Sequence, residues 1–277
     1  MKNFYTRTLT GLVFVSVCLS MILIGKWTWL AFFIIADVWL KFEFFRIVKS
    51  DNAKALSFTS VFTGVLFILM NFVVLNYNVN TKIFALLLIP VSLIFVEELF
   101  RNIENPLRNV AYSILSLIYI SLPLVLAQSL SYRVVGNNQI QFLPQILVGI
   151  FVLNWTFDSM SYVSGILFGK HKLFERISPK KTWEGSIGGT IFAVLLGYFM
   201  SYFIPELSRL DWVVISALVV VFGILGDLIE SLLKRSISLK DSGHSLPGHG
   251  GLLDRFDSFI FTIPWVFVYF VIKDLFF

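Results

Sequence analysis

Asp227 and Glu230 stand three residues apart, with Lys234 four further on, so on a helix all three project from one face. Twenty-seven residues after Asp227 the same spacing of three returns in Asp254 and Asp257, preceded by Pro247, Gly248, His249, Gly250 and Gly251. Lys234, Arg235 and Lys240 lie between the two pairs, and Arg255 lies inside the second. In a chain that is 57% hydrophobic such charges are expensive, on the order of +2.5 to +3.5 kcal/mol each inside lipid, so their clustering is a functional hypothesis by default. Carboxylate oxygens are the hard ligands that Mg²⁺ accepts, one or two at a time, with water and substrate phosphates completing its shell. Asp227 and Asp254 are therefore candidate metal ligands. The neighbouring cations would neutralise a polyphosphate during phosphoryl transfer, and a glycine turn leading into a helix start suits close approach of an anion.

Simpler readings compete with each of these. Lys234 and Arg235 could end an ion-paired helix and snorkel to water, and Asp254 could be a helix N-cap. Neither accounts for carboxylates at two helix ends with a glycine turn and three cations between them. His244 and His249 lack zinc-site spacing and read as turn or phosphate contacts.

A second constellation precedes the first. Asn154 and Asp158 are four apart on an apolar stretch, followed by Ser161 and Tyr162, which predicts a polar stripe facing the interior or a cavity. After it, Ser178 before Pro179 predicts a helix start, Lys180 and Lys181 form a cationic pair, and Trp183 suits a membrane interface. Gly185, Gly188 and Gly189 then suit close helix packing or backbone approach to a ligand. The plainer alternative is a basic amphipathic stretch on anionic lipid.

The elements that must carry these residues are membrane helices. With only 14% charged residues the chain departs from soluble domains, which carry about 25%. An apolar run of about 20 residues crosses a bilayer as a helix. Nine segments qualify, near 9 to 25, 27 to 44, 57 to 77, 82 to 98, 109 to 128, 143 to 168, 184 to 204, 211 to 233 and 254 to 274. The predicted fold is an all-α polytopic membrane protein. Lys and Arg alternate unequally between the loops, sixteen on one side against five on the other, which places the N-terminus and the 227 to 258 cluster in the cytoplasm. Topology thus explains the net charge of +5 better than nucleic-acid binding does.

Cys18 is the single cysteine, which excludes a disulfide framework, and the N-terminal run lacks a cleavage site and reads as a retained span. The whole chain reads as one membrane domain, with residues 1 to 150 mainly scaffold and 151 to 277 carrying the chemistry. In the scaffold half, Asp37 and Lys41 are spaced to pair on one helix, and Glu97 and Glu98 read as solvated at a helix end.

The run SLLKRSISLKDSGHSLPGHGGLLDRFD, residues 231 to 257, resembles the signature of the phosphatidate cytidylyltransferases (CDP-diacylglycerol synthases). The matching positions are Ser231, Lys234, Arg235, Lys240, Asp241, Gly243, Leu246, Pro247, His249, Gly250, Gly251, Asp254, Arg255 and Asp257. SPKKTWEG, residues 178 to 185, and Asp158 followed by Tyr162 are similar to the family too; Ser161 departs from it, where alanine is expected. The resemblance is specific over about residues 154 to 258. It implies a bacterial-type inner-membrane enzyme, its site facing the cytoplasm, that uses CTP and phosphatidate to make CDP-diacylglycerol and pyrophosphate. It also implies Mg²⁺ on Asp227 and Asp254, a monovalent cation such as K⁺ beside it, and a homodimer.

On this reading Lys234, Arg235, Lys240, Asp241, Arg255 and Asp257 serve catalysis, while Asp158, Tyr162, Ser178, Lys180, Lys181, Ser231, His249, Gly250 and Gly251 bind substrate. A lipid phosphomonoester, with a second pKa of about 6, brings its own nucleophile and needs no strong base. Two rivals stand beside this reading: a cytidylyltransferase for another lipid phosphate, ether-linked or isoprenoid, and an ion-coupled transporter. The transporter would place its polar sites near the bilayer midplane in two related halves, and no second copy of the cluster exists.

Overall fold

A computed structural model describes residues 2–77, 79–135, 139–237, 239, 243, 245 and 250–276. The chain runs α1 (Lys2–Leu23), α2 (Lys26–Lys49), α3 (Ser57–Tyr77), a 3₁₀ turn (Thr81–Leu87), α4 (Leu88–Phe100), α5 (Pro106–Ser116), a π-helical turn (Leu117–Ser121) and α6 (Leu122–Leu130). It continues through β1 (Tyr132–Val135), β2 (Gln139–Phe142), α7 (Pro144–Phe168), β3 (Lys172–Phe174), β4 (Ser178–Thr182), α8 (Trp183–Phe203), α9 (Arg209–Ser236) and α10 (Leu253–Phe276). Every one of the nine expected segments is helical.

Among the described residues seven helices are long and apolar enough to cross a membrane: Ser57–Tyr77, Thr81–Phe100, Pro106–Leu130, Pro144–Phe168, Trp183–Phe203, Arg209–Ser236 and Leu253–Leu275. The protein is an integral membrane protein. α2 differs from these seven because Asp37, Lys41, Glu43, Arg46 and Lys49 interrupt its apolar sequence. By its contacts the chain divides into two compact units, Met1–Pro144 with Asp241–Asp254, and Gln145–Lys240 with Arg255–Phe277.

In the first unit α2 packs on α1 and α3, and α3 on α6. Trp29 anchors one end of α2, edge-on to Phe33, Tyr132 and Phe142 at centroid separations of 5.0 to 5.4 Å. Two turns on, the helix buries an ion pair. Asp37 and Lys41 are both fully inaccessible, 3.2 Å apart, as their spacing predicted. Lys41 Nζ donates to the Ser60 carbonyl at 2.7 Å, and the Ser121 hydroxyl donates to Asp37 Oδ1 at 2.6 Å. Ser121 closes the π-helical turn, a local widening of the helix that often marks a side chain being re-aimed.

Contrary to the expectation that it is solvated, Glu98 is buried: it accepts from Asn109 Nδ2 at 2.6 Å and pairs with Arg101 at 3.0 Å. Glu97 is exposed and accepts from the Thr59 hydroxyl. Adjacent helical residues point about 100° apart, so one of the two turns toward α5 while its neighbour does not.

In the second unit α8 packs on α9, and α7 and α10 share stacked Phe151 and Phe259, 4.1 Å between centroids. α9 and α10 are joined at both ends. At the start of α9, Asp211 completes a capping box with Ser208 and accepts from Tyr269 and Lys273 of α10 at 2.6 to 2.8 Å. Further along, the Ser258 hydroxyl donates to the Gly223 carbonyl at 3.1 Å, and Phe222 stacks on Trp265 at 4.0 Å. At Gly226 the two helices approach closely, since a Cβ there would lie 2.7 Å from both the Asp257 carbonyl and Phe261 Cβ. Substituting Gly226→Ala should force α9 away from α10 at the residue before Asp227. The expected loss is about 1 to 3 kcal/mol, the usual range for overpacking, read as a lowered unfolding midpoint of the purified protein.

Candidate active site

Two parts of the chain hold the predicted site residues, one in each unit. In the second unit the positioning begins with a β-hairpin. β3 and β4 pair antiparallel, Lys172 opposite Thr182 and Phe174 opposite Ser178. Ser178 and Pro179 therefore lie in a strand and do not start a helix. Thr182 does so instead: its side chain accepts from the Gly185 amide at 3.2 Å, and α8 follows at Trp183. Both are plausible caps by residue type, but pairing with β3 holds 178 to 182 extended until the strand ends. His171 and Glu184 fasten the hairpin to α8 through a 2.6 Å contact between Nδ1 and Oε1.

The hairpin delivers Lys181 to α9, where its ammonium pairs with Asp227 Oδ2. Asp227 Oδ1 accepts from the Ser231 hydroxyl at 3.2 Å, one turn along α9. Asp227 and Lys181 are each about 30% accessible, with values of 30% and 28%, so this pair meets solvent. Asp158 of α7 is exposed beside them and interacts electrostatically with Lys181, Asp227 and Arg255. Asp257 of α10 is buried and lies within electrostatic reach of Glu230, Asp227 and Asp158. Four carboxylates thus gather on one unit, with Lys181 paired to Asp227, Lys181 and Arg255 within electrostatic reach of Asp158, and Lys234 paired with Glu230 at 3.3 Å.

The single helix face predicted for Asp227, Glu230 and Lys234 is present, and it splits by depth. Glu230 and Lys234 are buried while Asp227 is partly open. Arg235 is exposed and donates to the Leu239 carbonyl at 2.9 Å, which makes it a tie for the chain leaving α9. The stripe on α7 is also divided: Asn154 is buried, but Asp158 and Tyr162 are exposed. Steps of four residues advance about 40° around a helix, so a stripe spanning 154 to 162 drifts off the interior. Lys180, next to Lys181 on an alternating strand, is exposed. Gly185 and Gly189 act as packing positions, with Cβ atoms there falling 2.7 and 2.8 Å from the Ser161 and Phe157 carbonyls of α7.

In the first unit the turn before α10 carries Asp254. Gly250 adopts φ +83°, the left-handed region that glycine enters without strain, and a Cβ there would come within 2.9 Å of Asp254 Oδ2. That oxygen accepts from the Gly251 amide at 2.9 Å. The amides of Leu252 and Leu253 donate to Glu43 of α2, at 2.9 Å to Oε1 and 2.8 Å to Oε2. These three amides, expected to face an anion, each have a carboxylate oxygen as acceptor. Glu43 was not among the residues singled out from the sequence. The signal was present, because a carboxylate in an apolar helix needs a partner. Its partner lies 209 and 210 residues away, which spacing cannot reveal. Lys240, Asp241, His244, Pro247, Gly248 and His249 lie outside the described residues.

Residues 5–273 match the Cytidylyltransferase family, and the chain belongs to that family. A phosphatidate cytidylyltransferase of Bacillus subtilis (strain 168) is 33% identical over 285 aligned residues, covering 98% of this chain and 98% of the relative. The phosphatidate cytidylyltransferase of Staphylococcus haemolyticus is 31% identical over 263 residues, 93% of this chain and 95% of the relative. That of Staphylococcus aureus (strain COL) is 46% identical over 116 residues, 41% of this chain and 44% of the relative.

Proposed function

We propose that the protein transfers the CMP moiety of CTP to phosphatidate, giving CDP-diacylglycerol and pyrophosphate for phospholipid synthesis. The observation that carries this reading is the similarity to phosphatidate cytidylyltransferases along nearly the whole chain. A phosphate oxygen of phosphatidate forms the new bond to the α-phosphorus of CTP, and the bond from that phosphorus to the bridging oxygen of pyrophosphate breaks. Because the nucleophile is already anionic near neutral pH, the protein's work is positioning and charge neutralisation.

Asp227 and Asp254 are the residues that would hold a divalent cation, and the donor chemistry fits. Carboxylate oxygens are hard ligands that Mg²⁺ accepts one or two at a time, with water and phosphate oxygens completing its shell. The Lys181 ammonium on Asp227 already stands as a cation against this carboxylate. When bound, Mg²⁺ would neutralise triphosphate charge, with a monovalent cation such as K⁺ beside it. Lys181 and Arg255 are placed to receive phosphate oxygens, with Lys180 on the same exposed hairpin. Asp158 holds those cations in place, and Asp257, within electrostatic reach of Asp227 and Asp158, holds a ligand or a basic partner. Lys234, paired with Glu230, steadies the α9 face from below. We place this site on the cytoplasmic side of the inner membrane, in a chain of nine spans that acts as a single membrane domain and pairs as a homodimer.

Purified protein incubated with labelled CTP, phosphatidate and Mg²⁺ should yield labelled CDP-lipid, and excess EDTA should stop it. Product with isoprenoid or ether-lipid phosphate but none with phosphatidate would move the reading to a related cytidylyltransferase. Absence of product with all three would remove it.

A further inference from the structure

Glu43 is buried in α2 with no measurable exposure, in the half of the chain expected to be scaffold. Each of its carboxylate oxygens takes one backbone amide of the segment that leads into α10, Oε1 from Leu252 at 2.9 Å and Oε2 from Leu253 at 2.8 Å. Gly243 lies near the same carboxylate, since a Cβ at that position would stand 3.5 Å from Oε1. The next amide back, that of Gly251, is taken by Asp254 itself. Three consecutive amides are thus divided between two carboxylates, and Gly250 turns with positive φ to permit it.

Two amides held by one rigid carboxylate fix both the position and the rotation of a turn. A single bond would leave it free to pivot. Asp254 follows Leu253 directly, so the orientation of its carboxyl group is set by the peptide planes that Glu43 grips. Charge-assisted bonds of this kind are short and strong, and in a buried place they lose little to solvent. An ordinary N-cap could satisfy the same amides from the neighbouring residue. Supplying the acceptor from α2 also ties the turn to the core of the first unit.

We infer that Glu43 is a positioning residue for Asp254, holding the 250–254 turn so that the Asp254 carboxylate is presented for a divalent cation; this rests on the reading of Asp254 as a metal ligand. Groups that orient a metal ligand without touching the metal typically account for about 10 to 100-fold in metal affinity. Glu43→Gln keeps the size of the side chain but offers one acceptor, and directs an NH₂ at the second amide.

The test is Mg²⁺ titration of the purified full-length protein in detergent without substrate, following the rise in its unfolding temperature, since an ion that binds only the folded state stabilises it. Glu43→Gln is expected to need about 10-fold or more Mg²⁺ for the half-maximal rise. It should show a matching shift in the Mg²⁺ dependence of turnover while the KM for CTP at saturating Mg²⁺ stays near wild type. Asp254→Asn, titrated in parallel, separates the two ideas. If Asp254→Asn responds like wild type, the metal reading of Asp254 fails. If Asp254→Asn loses the response while Glu43→Gln keeps the wild-type midpoint, the role assigned to Glu43 is overturned. Should Glu43→Gln not fold, Glu43→Asp retains the charge but is one methylene too short to hold both amides, and a wild-type midpoint there overturns the inference equally.

Discussion

Asp227→Asn and Asp254→Asn should each reach the membrane and fold, yet lose about 100-fold or more of CTP-dependent turnover, the scale on which removal of a single electrostatic stabiliser of a transition state is felt. The substitution keeps the shape of each side chain and removes its charge. At Asp227 the Ser231 hydroxyl keeps an acceptor, so local structure should survive, while Lys181 loses the anion that holds it against α9. At Asp254 the Gly251 amide can still find the Asn carbonyl. Labelled-CTP turnover beside the unfolding midpoint separates the outcomes. Full activity in either variant removes that residue from the site, and lost activity with a collapsed midpoint would mark a structural role.

The second large effect is expected far from the chemistry. Lys41→Met leaves Asp37 fully buried, without its 3.2 Å partner and with the Ser121 hydroxyl still donating to it. Breaking a buried pair from one side typically costs about 3 to 5 kcal/mol, because the remaining charge is uncompensated. Replacing both groups by apolar side chains of similar volume is often neutral. The double variant Asp37→Leu with Lys41→Met should therefore recover most of the loss, to within about 1 kcal/mol of the parent. Denaturant unfolding in detergent measures both. A single variant as stable as the double would show that the pair contributes nothing to the fold. Gly64 sharpens the expectation, since a Cβ there would contact Lys41 Nζ and Ser121 Oγ and lie 2.6 Å from Asp37 Oδ2. The cluster is packed too closely for water to replace a missing partner.

Much of this molecule is legible in its residues because helices turn spacing into direction. The apolar runs marked every long helix, the four-residue spacing of Asp37 and Lys41 predicted their pairing, and the offsets among Asp227, Glu230 and Lys234 put them on one face. The signature around residues 231 to 257 pointed to the family that the whole chain matches. Each of these depends on local geometry, which 3.6 residues per turn determines before any packing occurs.

Partners far apart in the chain were decided by packing. Nothing in the spacing joins Lys181 to Asp227, or separates buried Glu98 from exposed Glu97. Ser178 and Thr182 are both able to cap a helix, and only the pairing of β4 with β3 decides that the helix waits for Thr182. Glu43 is the fullest case. Its residue type shows that a carboxylate in an apolar helix must find donors, but the donors are two backbone amides more than 200 residues away. Every residue except proline carries such an amide, so the sequence determines that Glu43 needs a partner, and the tertiary structure alone selects which one.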